Sequence, residues 1–538
     1  MMLRRVGVAG FVLLLLLLGG CVRPDPDLNV GATMVPLAPP PGMGTPTPAP
    51  SAAAVPAALA AGDADERPIP PTETRAPPPT PALPPYPGTP TPDPTRAGAA
   101  APDGTLYQTH TVSVGETLNY IAQRYGSTAE ELLDLNELSL DDYLFVGQAL
   151  RVPGGSSMVG PSFKVLPDSE LVYGPAARGF DIAAFLSYFD GFLLRYVEEV
   201  EGRPLDGPAI IQLVADRFSV NPRLLLAALE HRAGWISQAH PAETVYPMGR
   251  VREGAEGLYT QVAWAADQLN WGYYGRAEGG LTNVSAGDVS LMFAPDINDA
   301  TAGVQRWLGA HEGASYDRWL QETGPTGFFA TYSKLFGNPF AYTVDPLWPD
   351  DLTAPELALP WADGETWYLT GGPHGGWASG SAWAALDFVP HHEQLGCYPS
   401  DAWTRAMGPG VVVRSDFGAV VVDMDGDGYA GTGWAITYMH LETRDRVAAG
   451  TQVKAGDPLG HPSCEGGFSN GTHVHIARTY NGRWVSADGL LPFVMSGWRS
   501  EGLGREYDGL LVRGDEVKEA CECRDEMNAV PGRPAPRD

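Results

Sequence analysis

The sequence predicts a multidomain α+β protein with a small β-α-α-β module, a mostly helical middle domain and a mainly antiparallel β C-terminal domain. Three observations lead to this prediction. The chain has 538 residues, whereas a single hydrophobic core seldom extends past about 300 residues. Apolar residues recur at helical spacing between about 165 and 345. After Pro346 the pattern changes to short β runs separated by glycines and turns.

The composition excludes one class of partner. The formal net charge is −29 at pH 7, and the isoelectric point lies near 4.7. Such a chain is repelled by nucleic-acid phosphates and by an anionic membrane surface. We therefore expect no nucleic-acid partner, and the charge suits a soluble, exported protein.

Residues 1–21 have the form of an export signal, with two arginines, an apolar run and a small-residue end. Leu18-Gly19-Gly20-Cys21 resembles the lipobox of bacterial lipoproteins, which implies that Cys21 is lipidated and becomes the mature N-terminus. The alternative is a transmembrane anchor, although the apolar stretch is short for a span. Both interpretations tether the protein to a membrane and export the rest of the chain.

Residues 22–105 hold 24 of the 50 prolines and almost no aromatic residues. This composition cannot bury enough apolar surface to offset the entropy of ordering, and proline favours an extended chain. We predict a disordered linker that carries the later domains away from the membrane.

Residues 106–154 form a compact unit with the predicted order β-α-α-β. Its motifs resemble those of LysM domains: Val114-Gly115-Glu116-Thr117-Leu118, Ala122, Leu135-Asn136 and Val146-Gly147-Gln148-Ala149-Leu150. The resemblance covers the whole unit. It implies binding to glycan that contains N-acetylglucosamine, such as peptidoglycan.

Residues 160–345 are predicted to form the helical domain. Residues 217–237 distantly resemble the helix that carries the catalytic glutamate of lysozyme-like lytic transglycosylases. The Glu-Ser-Gly of that family falls on Arg232-Ala233-Gly234, and Glu230 is displaced by roughly 200 degrees around a helix. We therefore expect a degenerate domain, with Glu230 as the remaining candidate acid. The aromatic residues within 270–276 are expected to pack in the core or to contact sugar.

Seven of the eleven histidines fall between 374 and 475, within the β domain predicted for residues 346–500. Four short elements carry the candidates: Gly372-Pro373-His374-Gly375, Ala385-Leu386-Asp387-Phe388, Tyr438-Met439-His440-Leu441 and His473-Val474-His475. Catalytic zinc needs three protein ligands and one open position. His374, Asp387 and His475 supply two imidazoles and a carboxylate, so we predict that they bind one zinc ion.

His440 and His473 are predicted to assist catalysis. Successive side chains of a strand point to opposite faces, so His473 lies on the same face as His475. His440 lies at the end of another predicted strand. Either imidazole could take the proton of an attacking water or stabilise the oxyanion. His391 and His392 are the rival ligands.

These elements resemble the zinc peptidoglycan endopeptidases of the lysostaphin and β-lytic metallopeptidase superfamily over roughly residues 350–495. In that family the first His, the Asp and the second His of His-x-His bind zinc, and the two other histidines assist catalysis. Many members have His-x-x-x-Asp, whereas thirteen positions separate His374 from Asp387. The β-lytic branch carries a similar long insertion, and residues 464–489 also resemble that branch.

The sequence therefore predicts a membrane-anchored zinc endopeptidase that hydrolyses peptide cross-links of peptidoglycan and holds the glycan through its LysM unit. The alternative is a catalytically silent wall-binding lipoprotein that scaffolds or activates other cell-wall hydrolases. The complete ligand set favours the enzyme.

A second possible metal site lies at Asp423, Asp425 and Asp427, which alternate before Gly428 as at the start of an EF-hand calcium loop. The twelfth position is Trp434, which is not acidic. A plain acidic hairpin turn is the alternative.

Five cysteines are present, and four remain if Cys21 carries lipid. Disulfides are expected in an oxidising compartment, and Cys397 with Cys464 is the preferred pair. Cys521 and Cys523 lie too close together to bridge each other easily, so their partners stay open. They fall within residues 501–538, for which the sequence predicts only a tail.

Overall fold

The structure is a computed structural model that describes residues 107–112, 116–125, 127–136, 138–139, 144–145, 148–153, 158–278, 281–287, 289–391 and 394–532. The expected export signal, Cys21 and the proline-rich linker lie outside these residues. Among the helices of the described ranges, none combines the length and the apolar character needed to cross a lipid bilayer.

The predicted β-α-α-β order of the first unit is confirmed. Its elements are β1 (Tyr107–Thr111), α1 (Leu118–Arg124), α2 (Ala129–Leu135) and β2 (Ala149–Pro153). β1 pairs antiparallel with β2. A capping box formed by Thr128 and Glu131 begins α2, since each side chain accepts a backbone N–H of the other residue. Ile121, Leu132 and Val152 are fully buried in a small core of this unit.

The middle unit is mostly helical. Its helices are α3 (Asp168–Leu171), α4 (Ile182–Leu186), α5 (Gly207–Phe218), α6 (Pro222–Ala233), α7 (Leu258–Ala277), α8 (Asp299–Gly309), α9 (Tyr316–Glu322) and α10 (Phe328–Phe336). Two hairpins join them, β3 (Val197–Val200) with β4 (Arg203–Asp206) and β5 (Asn283–Ala286) with β6 (Val289–Met292).

Local chemistry defines the ends of the two central helices. The Asp206 carboxylate caps α5 by accepting the N–H of Ala209 at 2.9 Å. Asn221 caps α6, which ends at Gly234 with a φ of 68°, a conformation that glycine adopts readily. In α7, Trp271, Tyr273 and Tyr274 are buried. These aromatic residues therefore pack in the core.

The C-terminal unit is built from antiparallel strands. They are β7 (Thr366–His374), β8 (Ala385–Pro390), β9 (Thr404–Arg405), β10 (Gly410–Asp416), β11 (Ala419–Asp423), β12 (Trp434–Met439), β13 (Gln452–Val453), β14 (Pro458–Gly460), β15 (Val474–Tyr480), β16 (Arg483–Trp484), β17 (Val494–Met495), β18 (Trp498–Gly502), β19 (Gly509–Arg513), β20 (Glu516–Glu519) and β21 (Ala529–Pro531). A nine-stranded sheet has the order β13-β10-β11-β12-β15-β8-β7-β21, with β16 paired to β15.

The predicted tail is part of this unit. β17, β18, β19 and β20 form a four-stranded sheet, and β21 adds to the edge of the large sheet by pairing with β7. The separate tail over residues 501–538 is therefore corrected, because the domain continues at least to Pro531. Its strands are short and polar, and their partners lie far away in the sequence, so local pattern did not indicate them.

The two faces of the large sheet have different neighbours. Leu386, Phe388, Val474 and Ile476 point into the hydrophobic core of the C-terminal unit. Their strand neighbours on the opposite face, Ala385, Ala477 and Met439, belong to the same buried cluster as the helical unit. The helical unit therefore packs against one face of this sheet.

Residues 375–384, between β7 and β8, form much of this interface. The Trp377 ring lies 6.4 Å from the ring of Phe218 in α5, and the Arg217 guanidinium lies 4.9 Å above the Trp377 ring. The Gly380 N–H donates a 2.8 Å hydrogen bond to the Asp267 carboxylate of α7. The long insertion between His374 and Asp387 is thus a docking surface for the helices.

Both cysteine pairs are disulfide-bonded. Cys397 is joined to Cys464, the preferred pair, with a Cα–Cα distance of 5.9 Å. Cys521 is joined to Cys523, contrary to the expectation that they lie too close. One intervening residue leaves their Cα atoms 5.1 Å apart, which is within the usual range for disulfides.

We expect Gly380→Ala to destabilise the full chain by about 1–3 kcal/mol, because the interface has no room for a methyl group. A Cβ at Gly380 would lie 2.3 Å from the Asp267 carbonyl oxygen and 2.6 Å from Cδ1 of Trp271. Gly324→Ala is the matched control, since its Cβ would meet atoms only at 3.4 Å or beyond. Urea unfolding followed by tryptophan fluorescence measures the difference. Equal midpoints for the two variants would contradict this packing.

Candidate metal centre

Three neighbouring strands bring the predicted ligands together. Asp387 of β8 and His475 of β15 are directly opposite each other in the antiparallel register, and His374 ends β7 on the other side of β8. One donor atom from each residue lies within 4.8 Å of the others. His374 and His475 are buried, with relative accessibilities of 3% and 6%. The structure thus gathers all three on one sheet face.

Backbone carbonyls determine which imidazole nitrogens face the centre. Nδ1–H of His374 donates to the Gly372 carbonyl at 2.8 Å, which leaves the lone pair on Nε2. Nε2–H of His475 donates to the Gly376 carbonyl at 3.1 Å, which leaves the lone pair on Nδ1. These two lone-pair nitrogens lie 3.0 Å apart. Metal-binding histidines are commonly oriented in this way.

The third donor atom is Oδ1 of Asp387. It lies 3.3 Å from His374 Nε2 and 3.2 Å from His475 Nδ1. It is buried and has no hydrogen-bond donor among the described residues. Three electron-rich atoms therefore meet without a proton between them, an arrangement that fits a divalent cation.

The two predicted catalytic histidines lie beside this cluster. Nε2 of His473 is 3.7 Å from Oδ1 of Asp387, and the rings of His440 and His473 lie 4.4 Å apart. Nδ1–H of His473 donates to Gly471 at 2.7 Å, and Nδ1–H of His440 donates to Glu465 at 3.0 Å. In both residues Nε2 keeps its lone pair and can accept a proton.

Burial lowers the pKa of both imidazoles. For His440 the neighbouring His473 and His475 add to burial, and the pKa falls well below its ordinary value. For His473 the Asp387 carboxylate opposes burial only in part. Both rings are therefore neutral near pH 7. His440 also has a φ of 60°, unusual for a residue with a side chain, and its carbonyl accepts the Ser463 N–H.

Tyr507 is a residue of the centre that the sequence did not indicate. Its ring stacks on His374 with centroids 4.2 Å apart and an angle of 17° between the planes. Its backbone carbonyl accepts the Gly372 N–H at 2.7 Å, and its N–H donates to Pro373 at 3.0 Å. Tyr507 lies in the segment predicted to be a tail, so no local signal placed it near His374.

The other site residues predicted from the sequence lie outside this histidine and aspartate cluster. The exposed ring of His391 contacts the Tyr368 hydroxyl at 3.0 Å, and His392 lies outside the described residues. The Glu230 carboxylate accepts the N–H groups of Ile236 and Ser237, which stabilises the turn after α6. Asp423, Asp425 and Asp427 come together at the turn between β11 and β12.

Two known domain families match the chain. Residues 110–153 match the LysM domain, and residues 164–349 match the family described as LasA, N-terminal domain. The second match covers the helical unit, in which residues 217–237 distantly resemble a helix of lytic transglycosylases. Protease LasA of Pseudomonas aeruginosa is 27% identical over 348 residues, which are 60% of this chain and 75% of that protein.

The chain contains a LysM domain and is homologous to protease LasA.

Further relatives resemble single parts of this LasA-like chain. The N-acetylmuramoyl-L-alanine amidase sle1 of Staphylococcus epidermidis is 41% identical over 61 residues, 11% of this chain and 18% of that protein. Among solved structures, the M23 metalloprotease pseudoalterin from the deep sea is 27% identical, with a TM-score of 0.26, and covers 31% of this chain and 96% of that one. The catalytic domain of lysostaphin from Staphylococcus simulans is 21% identical, with a TM-score of 0.17, over 23% and 89% of the two chains.

We expect the purified full chain to bind one zinc ion through His374, Asp387 and His475. His475→Ala and Asp387→Asn should each weaken zinc binding by more than about 100-fold, because the first removes a donor atom and the second removes the negative charge of the carboxylate. His391→Ala is the control, since His391 is the rival ligand. Elemental analysis after dialysis against a metal buffer measures zinc per chain. Loss of zinc from His391→Ala with retention in His475→Ala would contradict the assignment.

Proposed function

We propose that this protein is a zinc endopeptidase that hydrolyses peptide bonds of bacterial peptidoglycan. One observation carries the proposal. His374, His475 and Asp387 direct two lone-pair nitrogens and an unpaired carboxylate oxygen at one point, with neutral His440 and His473 alongside. The homology to protease LasA supports peptide-bond hydrolysis, and the LysM domain supports a wall glycan as the attachment site.

In the proposed reaction, the metal and the histidines have different roles. Zinc at such a site supplies Lewis acidity toward water and toward the scissile carbonyl. His473 lies closest to the ligand cluster, so its Nε2 is positioned to accept a proton from the attacking water. The proton can then pass to the leaving amine. His440 lies beside His473, and its Nδ1–H donates to the Glu465 carbonyl. Its Nε2 is therefore positioned to accept a proton from the same substrate region.

The remaining features complete the proposal. We propose that the export signal and Cys21 anchor the protein by lipid to a bacterial membrane, and that the proline-rich linker lets the LysM domain reach the wall. The LysM domain would bind N-acetylglucosamine-containing glycan. The stem or bridge peptide would bind beside the cluster of His374, Asp387 and His475.

A catalytically silent scaffold is the second candidate function. The packing of the helical unit against the sheet face that carries the ligands favours it, because this packing limits access from that side. Asp387 has a relative side-chain accessibility of 13%, as does His473. The two functions differ in one measurable property, which is release of new amino termini from peptidoglycan.

We expect the full chain to release amino termini from purified peptidoglycan, and a zinc chelator to abolish the release. His473→Ala should lower kcat by about 10²- to 10⁴-fold while zinc content stays at one ion per chain, because His473 moves a proton and does not bind the metal. His391→Ala should keep full activity. The assay is run before and after limited proteolysis, which frees the sheet face if the helical unit restricts access. Absence of release under both conditions supports the scaffold.

A further inference from the structure

The turn between β11 and β12 gathers three carboxylates away from the catalytic histidines. Asp423 ends β11, and Asp425 and Asp427 lie in the turn after it. One carboxylate oxygen from each lies within 4.8 Å of the others. Asp423 is fully buried, whereas Asp425 and Asp427 are exposed. The cluster therefore reaches from the end of a buried strand to the surface.

Only one of the two oxygens of the buried Asp423 carboxylate has a hydrogen-bond partner among the described residues. Its Oδ2 accepts the Gly428 N–H at 2.8 Å. Its Oδ1 is buried and has no hydrogen-bond partner within the part of the chain that the structure describes. Burying a carboxylate oxygen without a hydrogen-bond donor is energetically unfavourable, and a nearby positive charge would stabilise it.

The nearest arginine does not supply that charge. Arg178 contacts Oδ2 of Asp427 at 2.6 Å on the outer side of the turn, and its side chain is 51% exposed. Asp427 also accepts the Tyr429 N–H and the Thr432 hydroxyl. Asp427 is thus paired with a cation, while Asp423 and Asp425 have no cationic side-chain partner among the described residues.

We propose that this turn binds one calcium ion through Asp423, Asp425 and Asp427. The donors are all oxygen atoms, which hard divalent cations prefer, and no imidazole or thiolate competes for the ion in this turn. Asp423 and Asp425 come close enough for a cation to bridge their carboxylates. Because Trp434 replaces the acidic twelfth residue of an EF-hand loop, we expect a Kd of about 10⁻⁴–10⁻³ M, the range of extracellular calcium modules.

Calcium at this turn would strengthen the contact with the helical unit. The Tyr429 hydroxyl donates to the Gly174 carbonyl at 2.9 Å, and the rings of Tyr173 and Tyr429 lie 5.7 Å apart. Arg178 comes from the same segment of the helical unit. Ordering the turn therefore orders one edge of the interface between the two units.

Terbium luminescence on the full chain tests the site, because Tyr429 in the turn and Trp434 at the start of β12 can transfer excitation energy to bound Tb³⁺. We expect a signal that calcium displaces at millimolar concentration. Asp425→Asn should remove it, and this exposed residue can be changed without disturbing the core. Asp423→Asn should remove it as well. Asp190→Asn is the matched control, since Asp190 is an exposed acid paired with Arg195.

A second measurement monitors thermal unfolding. Calcium at 10 mM should raise the Tm of the parent chain and of Asp190→Asn by a few degrees, and leave the Tm of Asp425→Asn unchanged. His475→Ala should retain the calcium effect, which separates this site from the zinc centre and from the proposed peptidase activity. A terbium signal that persists in both Asp425→Asn and Asp423→Asn, or no calcium effect on the parent, overturns the proposal.

Discussion

Repulsion between three electron-rich atoms is the constraint on which the centre of this protein depends. Nε2 of His374, Nδ1 of His475 and Oδ1 of Asp387 lie 3.0–3.3 Å apart. The proton of each imidazole is committed to a backbone carbonyl, so none is available to separate these atoms. A divalent cation at this point would remove the repulsion, and in the proposed peptidase it would also polarise the scissile peptide bond of the substrate.

The sheet holds these atoms in position through backbone pairing. Asp387 and His475 face each other across β8 and β15, so their separation is set by the strand register and not by side-chain flexibility. Gly371 is needed beside them, because a Cβ there would lie 2.8 Å from Oδ2 of Asp387. The segment around Tyr507 then supports His374 by backbone hydrogen bonds and ring stacking. Three neighbouring strands and the segment around Tyr507 thus determine the geometry of the ligand cluster.

The insertion between His374 and Asp387 connects this point to the helical unit. Its Gly376 carbonyl orients the His475 ring, and the next residue, Trp377, packs against Phe218 and Arg217 of α5. One segment therefore takes part both in the ligand geometry and in the docking of the helices. The turn of Asp423, Asp425 and Asp427 contacts the same helical unit at a separate edge.

The sequence by itself determined the features that depend on near neighbours. Strand alternation placed His473 and His475 on one face, residue chemistry selected His374 and Asp387 as their partners, and periodicity indicated the β-α-α-β module and the helices. Only the tertiary structure decided that His391 lies apart, that Tyr507 stacks on His374, that β21 completes the sheet and that the helices cover the ligand face. These features arise from pairing between segments distant in the chain. Short-range sequence pattern carries no information about such pairing, because the pairing is determined by the burial and hydrogen bonding of the whole fold.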